Sequence, residues 1–90
     1  NAVAVAESLD ADELLMTPDR NLARYTASRT GKKIHYWDGY CPIHDLLTPA
    51  DVRAARDAHP KAVFMAHPEC RSEVLEIADV IASTSGMIAL

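Results

Sequence analysis

Four short apolar segments alternate with helical stretches along the chain, and this alternation constrains the fold more than any other feature. We predict strands at Glu13–Met16, Lys33–Trp37, Ala62–Ala66 and Val80–Ala82, from their shortness and their apolar, β-branched or aromatic content. Helices of about ten residues between such strands predict parallel pairing with right-handed crossovers. The expected fold class is therefore α/β: a three-layer α/β/α unit with a short parallel sheet of about four strands, formed as a single domain by residues 1–90.

The first and third predicted strands lack the alternation of polar and apolar residues that marks a half-exposed strand. Glu13-Leu-Leu-Met16 is a continuous apolar run after its first residue, and Ala62-Val-Phe-Met-Ala66 contains no polar residue. Parallel strands with helices on both faces have this composition. We therefore expect both strands to be buried.

The helices between these strands have recognisable start signals. Asp19 is a candidate N-cap for a helix from Arg20 to about Arg29. Thr48 is a second candidate N-cap, followed by Pro49 at the first helical position and by Asp51, whose charge favours a helix N-terminus. Further helices are predicted at Ala2–Leu9, at Arg71–Ala78 and from Ser83-Thr-Ser-Gly86 onward.

Bulk properties exclude several classes of function. The formal net charge of -4 gives no electrostatic reason to expect a nucleic acid or an anionic membrane as partner. No apolar run approaches the roughly 20 residues that span a bilayer, and no signal peptide opens the sequence. With two cysteines far apart and no export signal, a reduced cytoplasmic setting is expected.

Both ends of the sequence lie within apolar segments. The chain begins Asn1-Ala-Val-Ala-Val-Ala and ends Met87-Ile-Ala-Leu90, whereas natural domain ends tend to be polar. We interpret both ends as cut from a longer protein.

Polar motifs follow each predicted strand. In open parallel sheets, ligands bind in the crevice outside the carboxyl ends of the strands. Both cysteines and two of the four histidines lie in the segments that would occupy this edge. These segments are Thr17-Pro-Asp19, Trp37–His44, His67-Pro-Glu-Cys70 and Ser83-Thr-Ser-Gly86. The sequence therefore predicts a ligand site at this edge.

Each motif has a functional and a structural interpretation. Ser83-Thr-Ser-Gly86 offers hydroxyls and backbone N–H groups to a phosphate or carboxylate, or only caps a helix. His67 and Glu69 could bind a polar substrate and move a proton, or are ordinary loop residues. Asp19 is better explained as a cap than as a catalyst.

The cysteines admit a metal site. Cys41-x-x-His44 and His67-x-x-Cys70 supply thiolate and imidazole ligands that could close a tetrahedral zinc site, in a stand-alone binding module. The spacing between the two pairs is not that of a zinc finger. The alternative is that each cysteine is a free thiol inside a structural domain.

Taken together and in order, the motifs resemble the quinolinate synthase (quinolinate synthetase A) family over the whole chain. The matching strings are Asn1-Ala-Val, Pro18-Asp19-x-Asn21-Leu22, Gly31-Lys-Lys33, Gly39-Tyr-Cys41-x-x-His44, His59-Pro60, His67-Pro-Glu-Cys70, Ala78-Asp79 and Ser83-Thr-Ser-Gly86. Single strings of this kind are unspecific, but their common order is specific.

The resemblance implies an enzyme that condenses iminoaspartate with dihydroxyacetone phosphate to form quinolinate, a precursor of NAD. Members of this family have three similar α/β domains around a central site, and this chain is similar to the middle one. One cysteine from each domain holds a [4Fe-4S] cluster, which leaves one iron open to the substrate. By this resemblance Cys41 is the cluster ligand, whereas Cys70 is structural or incidental.

The resemblance also implies the substrate contacts. His67, Pro68 and Glu69 match residues that contact substrate, with His67 and Glu69 as the candidate catalytic pair. Thr84 matches a substrate-binding hydroxyl, and Ser83 is its neighbour. Because the flanking domains and two cluster cysteines are missing, the 90-residue chain alone is expected to be inactive and to hold no stable cluster.

Overall fold

A computed structural model of the protein describes residues 2–90, so Asn1 of the Asn1-Ala-Val string lies outside the described residues. The chain order is α1 (Ala2–Ser8), β1 (Glu13–Met16), α2 (Arg20–Arg29), β2 (Lys33–Tyr36), α3 (Pro42–Leu46), α4 (Pro49–Ala58), β3 (Met65–Ala66), α5 (Ser72–Leu75), β4 (Val80–Ile81) and α6 (Thr84–Ile88). The α/β class is confirmed.

The strands form two separate parallel pairs. β1 pairs with β2, with Leu14 opposite Ile34, and β3 pairs with β4, with Ala66 opposite Ile81. Each pair flanks a helix in the chain, α2 or α5, so each is a parallel β-α-β unit. The prediction of one four-stranded sheet is wrong for residues 2–90, since the described strands form two two-stranded sheets. At two residues each, β3 and β4 present few backbone groups to a further strand.

The strands are less covered than their composition predicted. Leu15 in β1 is 73% exposed, and Val63, just before β3, is 67% exposed. The expectation that the first and third strands are buried is therefore wrong for β1, and in β3 it holds only for Ala66, at 3% exposure. Helix α2 packs on one face of β2. Apolar composition alone does not say whether the same chain also covers the other face.

Two helix starts form as their cap residues predict. The side chain of Asp19 accepts a hydrogen bond from the backbone N–H of Leu22 at 2.7 Å. Thr48 and Asp51 form a reciprocal capping box at the start of α4, with Pro in the first turn. These local bonds satisfy donors that a helix N-terminus otherwise leaves open.

The short helix α3 was not predicted. It begins at Pro42, directly after Cys41, and carries Asp45 in its first turn. Proline at the first position and an early acidic residue are helix start signals. Its five residues are too few for a recognisable apolar period.

The core lies around the second β-α-β unit, between α4, β3 and α5. Its buried members are Val52, Ala66, Cys70, Val74 and Leu75. Tyr25, Leu47, Phe64, Ile77, Ala78 and Ile81 are partly buried against it. Full burial of a Val or Leu side chain contributes about 1.5–3 kcal/mol. Within residues 2–90, no helix has the length and apolarity needed to cross a bilayer.

Candidate active site at the strand ends

The segments that follow the four strands meet, although the strands belong to two sheets. Asp19, after β1, accepts a hydrogen bond from Cys41, after β2. His44, further along the same segment, contacts Glu69 after β3. His67 and Ser83, which follow β3 and β4, line one cavity. The structure therefore gathers the polar motifs into one region.

The backbone around Cys41 is fixed by residues after β1. One carboxylate oxygen of Asp19 caps α2, and the other accepts from the Cys41 N–H at 3.1 Å. The Arg20 N–H donates to the Gly39 carbonyl at 2.7 Å. A Cβ at Gly39 would lie 2.4 Å from the Pro18 carbonyl oxygen, so this approach requires glycine. The backbone that carries the partly exposed Cys41 is therefore fixed by these hydrogen bonds.

Glu69 bonds to one histidine and lies close to a second. Its Oε1 lies 3.0 Å from His44 Nδ1 and 3.7 Å from His67 Nδ1. The two imidazole rings stack with centroids 4.4 Å apart and planes 7° apart. All three side chains are partly buried, between 20% and 31% exposed. The structure therefore joins His44 to the predicted pair of His67 and Glu69.

The hydrogen bonds assign different tautomers to the two rings. The backbone N–H of Glu69 donates to His67 Nδ1 at 3.1 Å, so the proton of neutral His67 lies on Nε2. An ionised Glu69 carboxylate can only accept, so His44 donates from Nδ1 and its Nε2 keeps a lone pair. His67 is thereby a hydrogen-bond donor at Nε2, and His44 is a proton acceptor at Nε2.

A cavity of about 370 Å³ lies beside this group. Leu22, Tyr25 and Ile81 supply apolar wall, while His67, Pro68 and Ser83 come from the strand-end motifs. Its size is in the range of small-molecule sites, roughly 300–1,000 Å³. Three of the predicted substrate-binding residues therefore share one concave surface.

The serine-rich turn forms one of its predicted features, the helix cap. The Ser83 hydroxyl accepts from the Gly86 N–H at 3.2 Å and caps α6. Thr84, the first residue of α6, is exposed and does not line the cavity. The capping interpretation of Ser83 is thus realised, while the role of Thr84 stays a prediction.

The metal-ligating atoms that converge are those of Cys41, His44 and Glu69, which all lie within 4.8 Å of one another. Cys70 instead packs in the core at 5% exposure, and burial raises the pKa of its thiol. Among the described residues, the zinc set of Cys41, His44, His67 and Cys70 is not brought together. A [4Fe-4S] cluster fits this site only at one corner, because one accessible thiol is present.

Sequence reasoning missed two polar contacts that shape the site. It gave His44 no place beside Glu69, although the Cys-x-x-His string contains it. It also left Asn21 without a function, although the buried Asn21 amide reaches both Asp45 and Glu69. Both residues lie in strings that carry the family resemblance, and this was a signal of their importance. Their contacts could not be read from those strings, because they join residues 24 to 48 positions apart.

A parallel β-α-β scaffold whose strand ends carry a thiol, a carboxylate beside two stacked imidazoles and a cavity is the arrangement of an α/β enzyme. The particular family follows from comparison with known proteins. The family model described as "Quinolinate synthetase A protein" matches residues 1–90, and the chain belongs to this family.

Curated relatives agree with this assignment. The chain is 57% identical over 88 residues to quinolinate synthase 1 of Methanosarcina acetivorans and 56% identical over 88 residues to quinolinate synthase of Methanosarcina barkeri. It is 48% identical over 87 residues to quinolinate synthase of Geobacter sp. strain M21. These alignments cover 97–98% of this chain but 29% of each relative. The chain therefore spans less than a third of the length of the relatives.

Proposed function

We propose that the full-length protein containing this chain is a quinolinate synthase, which condenses iminoaspartate with dihydroxyacetone phosphate to form quinolinate for NAD biosynthesis. The chain would be the middle of three similar three-layer α/β/α domains. The observation that carries the proposal is the group of His44, Glu69 and His67 beside Cys41 in a chain that matches this family throughout. The flanking domains of the same protein are the expected partners, and a cytoplasmic location is expected.

Cys41 is proposed to hold one corner of a [4Fe-4S] cluster. Its thiol is accessible and its backbone is fixed by Asp19, whereas Cys70 is buried in the core. The other two thiolates would come from the flanking domains. When bound, such a cluster with one iron free of protein ligands supplies a Lewis acid that assists dehydration.

The proton-handling groups are proposed to be Glu69 and the two histidines. Glu69 orients His44 through the 3.0 Å bond to Nδ1, which leaves His44 Nε2 as a base. His67, with its proton on Nε2, would donate a hydrogen bond to an anionic oxygen of the substrate. These roles give His67 and Glu69 the catalytic and substrate-contacting parts that the sequence predicted.

Substrate binding is proposed at the cavity after β3 and β4. His67, Pro68 and Ser83 line it, and Thr84 follows directly in sequence. Both substrates carry negative groups, so hydroxyl and N–H donors suit them. We expect the 90-residue chain alone to form no quinolinate and to retain no stable cluster, since it supplies one wall of the site.

The activity is tested with the full-length protein, reconstituted with iron and sulfide without oxygen, by measuring quinolinate formed from the two substrates. Glu69→Gln keeps the shape but removes the charge, and kcat should fall by about 10²–10⁴-fold. Glu13→Gln is the matched control, because Glu13 also pairs with a histidine, His35 at 3.1 Å, but on the exposed face of β1 and β2. Absence of quinolinate synthesis by the wild-type protein would overturn the proposal.

A second candidate function is a mononuclear zinc site, favoured by the convergence of Cys41, His44 and Glu69. Zinc accepts thiolate, imidazole and carboxylate ligands, and three protein ligands leave an open position. Metal analysis of protein purified without added metal tests it. Stoichiometric zinc that is lost in His44→Ala and kept in Cys70→Ala would support this candidate, and absence of zinc would exclude it.

A further inference from the structure

Asn21 is a buried amide on α2 that contacts two segments of the candidate site at once. It is 2% exposed. Its Nδ2 donates to Asp45 Oδ1 at 2.9 Å and to the backbone carbonyl of Glu69 at 3.1 Å. Asp45 follows His44 directly in α3, and Glu69 carries the carboxylate that His44 contacts. One side chain therefore joins the two segments whose functional groups meet.

The acceptors of Asn21 are themselves held in place. Asp45 is 8% exposed and lies near two arginines, with Arg20 Nη2 at 3.5 Å and Arg71 Nε at 3.7 Å. These distances are longer than the Asn21 bond, so the amide makes the closest polar contact of this carboxylate. Loss of the amide would leave the buried Asp45 Oδ1 without its closest donor, which is unfavourable, so the bonded arrangement is favoured.

We propose that Asn21 is a positioning residue that sets the distance between His44 and Glu69 and so the reactivity of this pair. The inference rests on the proposed function of Glu69. Asn21 bonds to Asp45 and to the backbone of Glu69, not to the His44 ring or the Glu69 carboxylate, and it does not line the cavity, so it would act only through the segments that it joins. Removing its amide would free the Glu69 backbone and α3 to separate, which would lengthen the 3.0 Å contact.

The test uses the full-length, cluster-loaded synthase with Asn21→Ala, Glu69→Gln and the double variant. Displacement of a catalytic group by about 1 Å can cost about 10²-fold in rate, so kcat of Asn21→Ala should fall by about that factor with a smaller change in KM. In the Glu69→Gln background, Asn21→Ala should lower kcat by less than about twofold further, since residues acting through one group are not additive.

Thr26→Val is the matched control. Thr26 lies on the same helix, is 0% exposed, and donates its hydroxyl to the Leu22 carbonyl within α2. It should change thermal stability but leave kcat unchanged, with or without Glu69→Gln. Asn21→Ser, which keeps one donor, replaces Asn21→Ala if the alanine variant does not fold, with the same expected non-additivity.

Amide hydrogen exchange gives a readout apart from activity. The segment 67–70 contains N–H groups that bond within the loop, at Glu69 and Cys70. Exchange in this segment should be faster in Asn21→Ala and unchanged in Thr26→Val. Equal exchange in both, or full additivity with Glu69→Gln, would overturn the role of Asn21. Unaltered kcat in Glu69→Gln alone would instead overturn the role of Glu69.

Discussion

The imidazole rings of His44 and His67 lie face to face, 4.4 Å apart, and Glu69 contacts both. The 3.0 Å contact from Glu69 Oε1 to His44 Nδ1 is a hydrogen bond, whereas the 3.7 Å distance from the same oxygen to His67 Nδ1 is too long for one. The carboxylate of Glu69 therefore orients the His44 ring, while the backbone N–H of Glu69 orients the His67 ring.

His44 should be as important for turnover as Glu69. In the full-length protein, His44→Ala removes the proposed base, and if the proposed function holds, kcat should fall by about 10²–10⁴-fold. His35→Ala is the control, because His35 pairs with Glu13 on the exposed face of the first strand pair. Steady-state kinetics with both substrates measures the effect. A His44→Ala enzyme with wild-type kcat would remove His44 from the mechanism.

Asp19 should stabilise the chain more than an ordinary cap does. It is 4% exposed and accepts bonds from both Leu22 and Cys41, so Asp19→Ala leaves two N–H groups without this acceptor. Loss of a cap costs about 0.5–2 kcal/mol, and we expect Asp19→Ala at or above the upper end of that range. Urea denaturation should show a smaller loss for Thr48→Ala, which caps the exposed start of α4. Equal losses would mean that the bond to Cys41 contributes nothing.

The local features of this fold could be predicted from the sequence. The caps at Asp19, Thr48 and Ser83 and the helix from Arg20 to Arg29 depend on residues within one turn of one another. Burial could not be predicted in the same way. The apolar character of Leu15 indicates that something covers it, but not whether the cover belongs to this chain.

The site could be predicted as a region but not as a set of contacts. The positions of the predicted strand ends indicated where the polar motifs would gather, because parallel strands direct their carboxyl ends to one edge of a sheet. The bond between His44 and Glu69 spans 25 positions and depends on the unpredicted helix α3. The buried Asn21 bridge depends in the same way on how α2 lies against α3 and the loop after β3.

The capping box of α4 should make part of the stability dependent on acid. Hydrogen bonds from the backbone and hydroxyl of Thr48 hold the pKa of Asp51 below its usual value. This contribution is present above the usual value of 3.8 and is lost as the pH falls through the lower folded-state pKa. In urea titrations from pH 7 to pH 2, the stability advantage of wild type over Asp51→Asn should therefore shrink at acidic pH. An advantage that is independent of pH would contradict this origin.

The 90-residue chain should self-associate in isolation. Large apolar side chains are exposed on several elements, including Leu15 at 73%, Ile43 at 79% and Leu46 at 72%. Exposed apolar surface of this kind drives association, and in the full-length protein we expect flanking domains to cover it. Light scattering should show oligomers that grow with concentration, and Ile43→Glu with Leu46→Lys should reduce them. A monodisperse monomer at high concentration would contradict this expectation.

The central claim is that Cys41 contributes one thiolate of a cluster that this chain shares with its flanking domains. Iron and acid-labile sulfide should be measured in the full-length protein after anaerobic reconstitution, for wild type, Cys41→Ser and Cys70→Ser. We predict four iron and four sulfide per wild-type chain, as the formula of one [4Fe-4S] cluster requires, with loss in Cys41→Ser and retention in Cys70→Ser. A full cluster in Cys41→Ser, or its loss only in Cys70→Ser, would contradict the account.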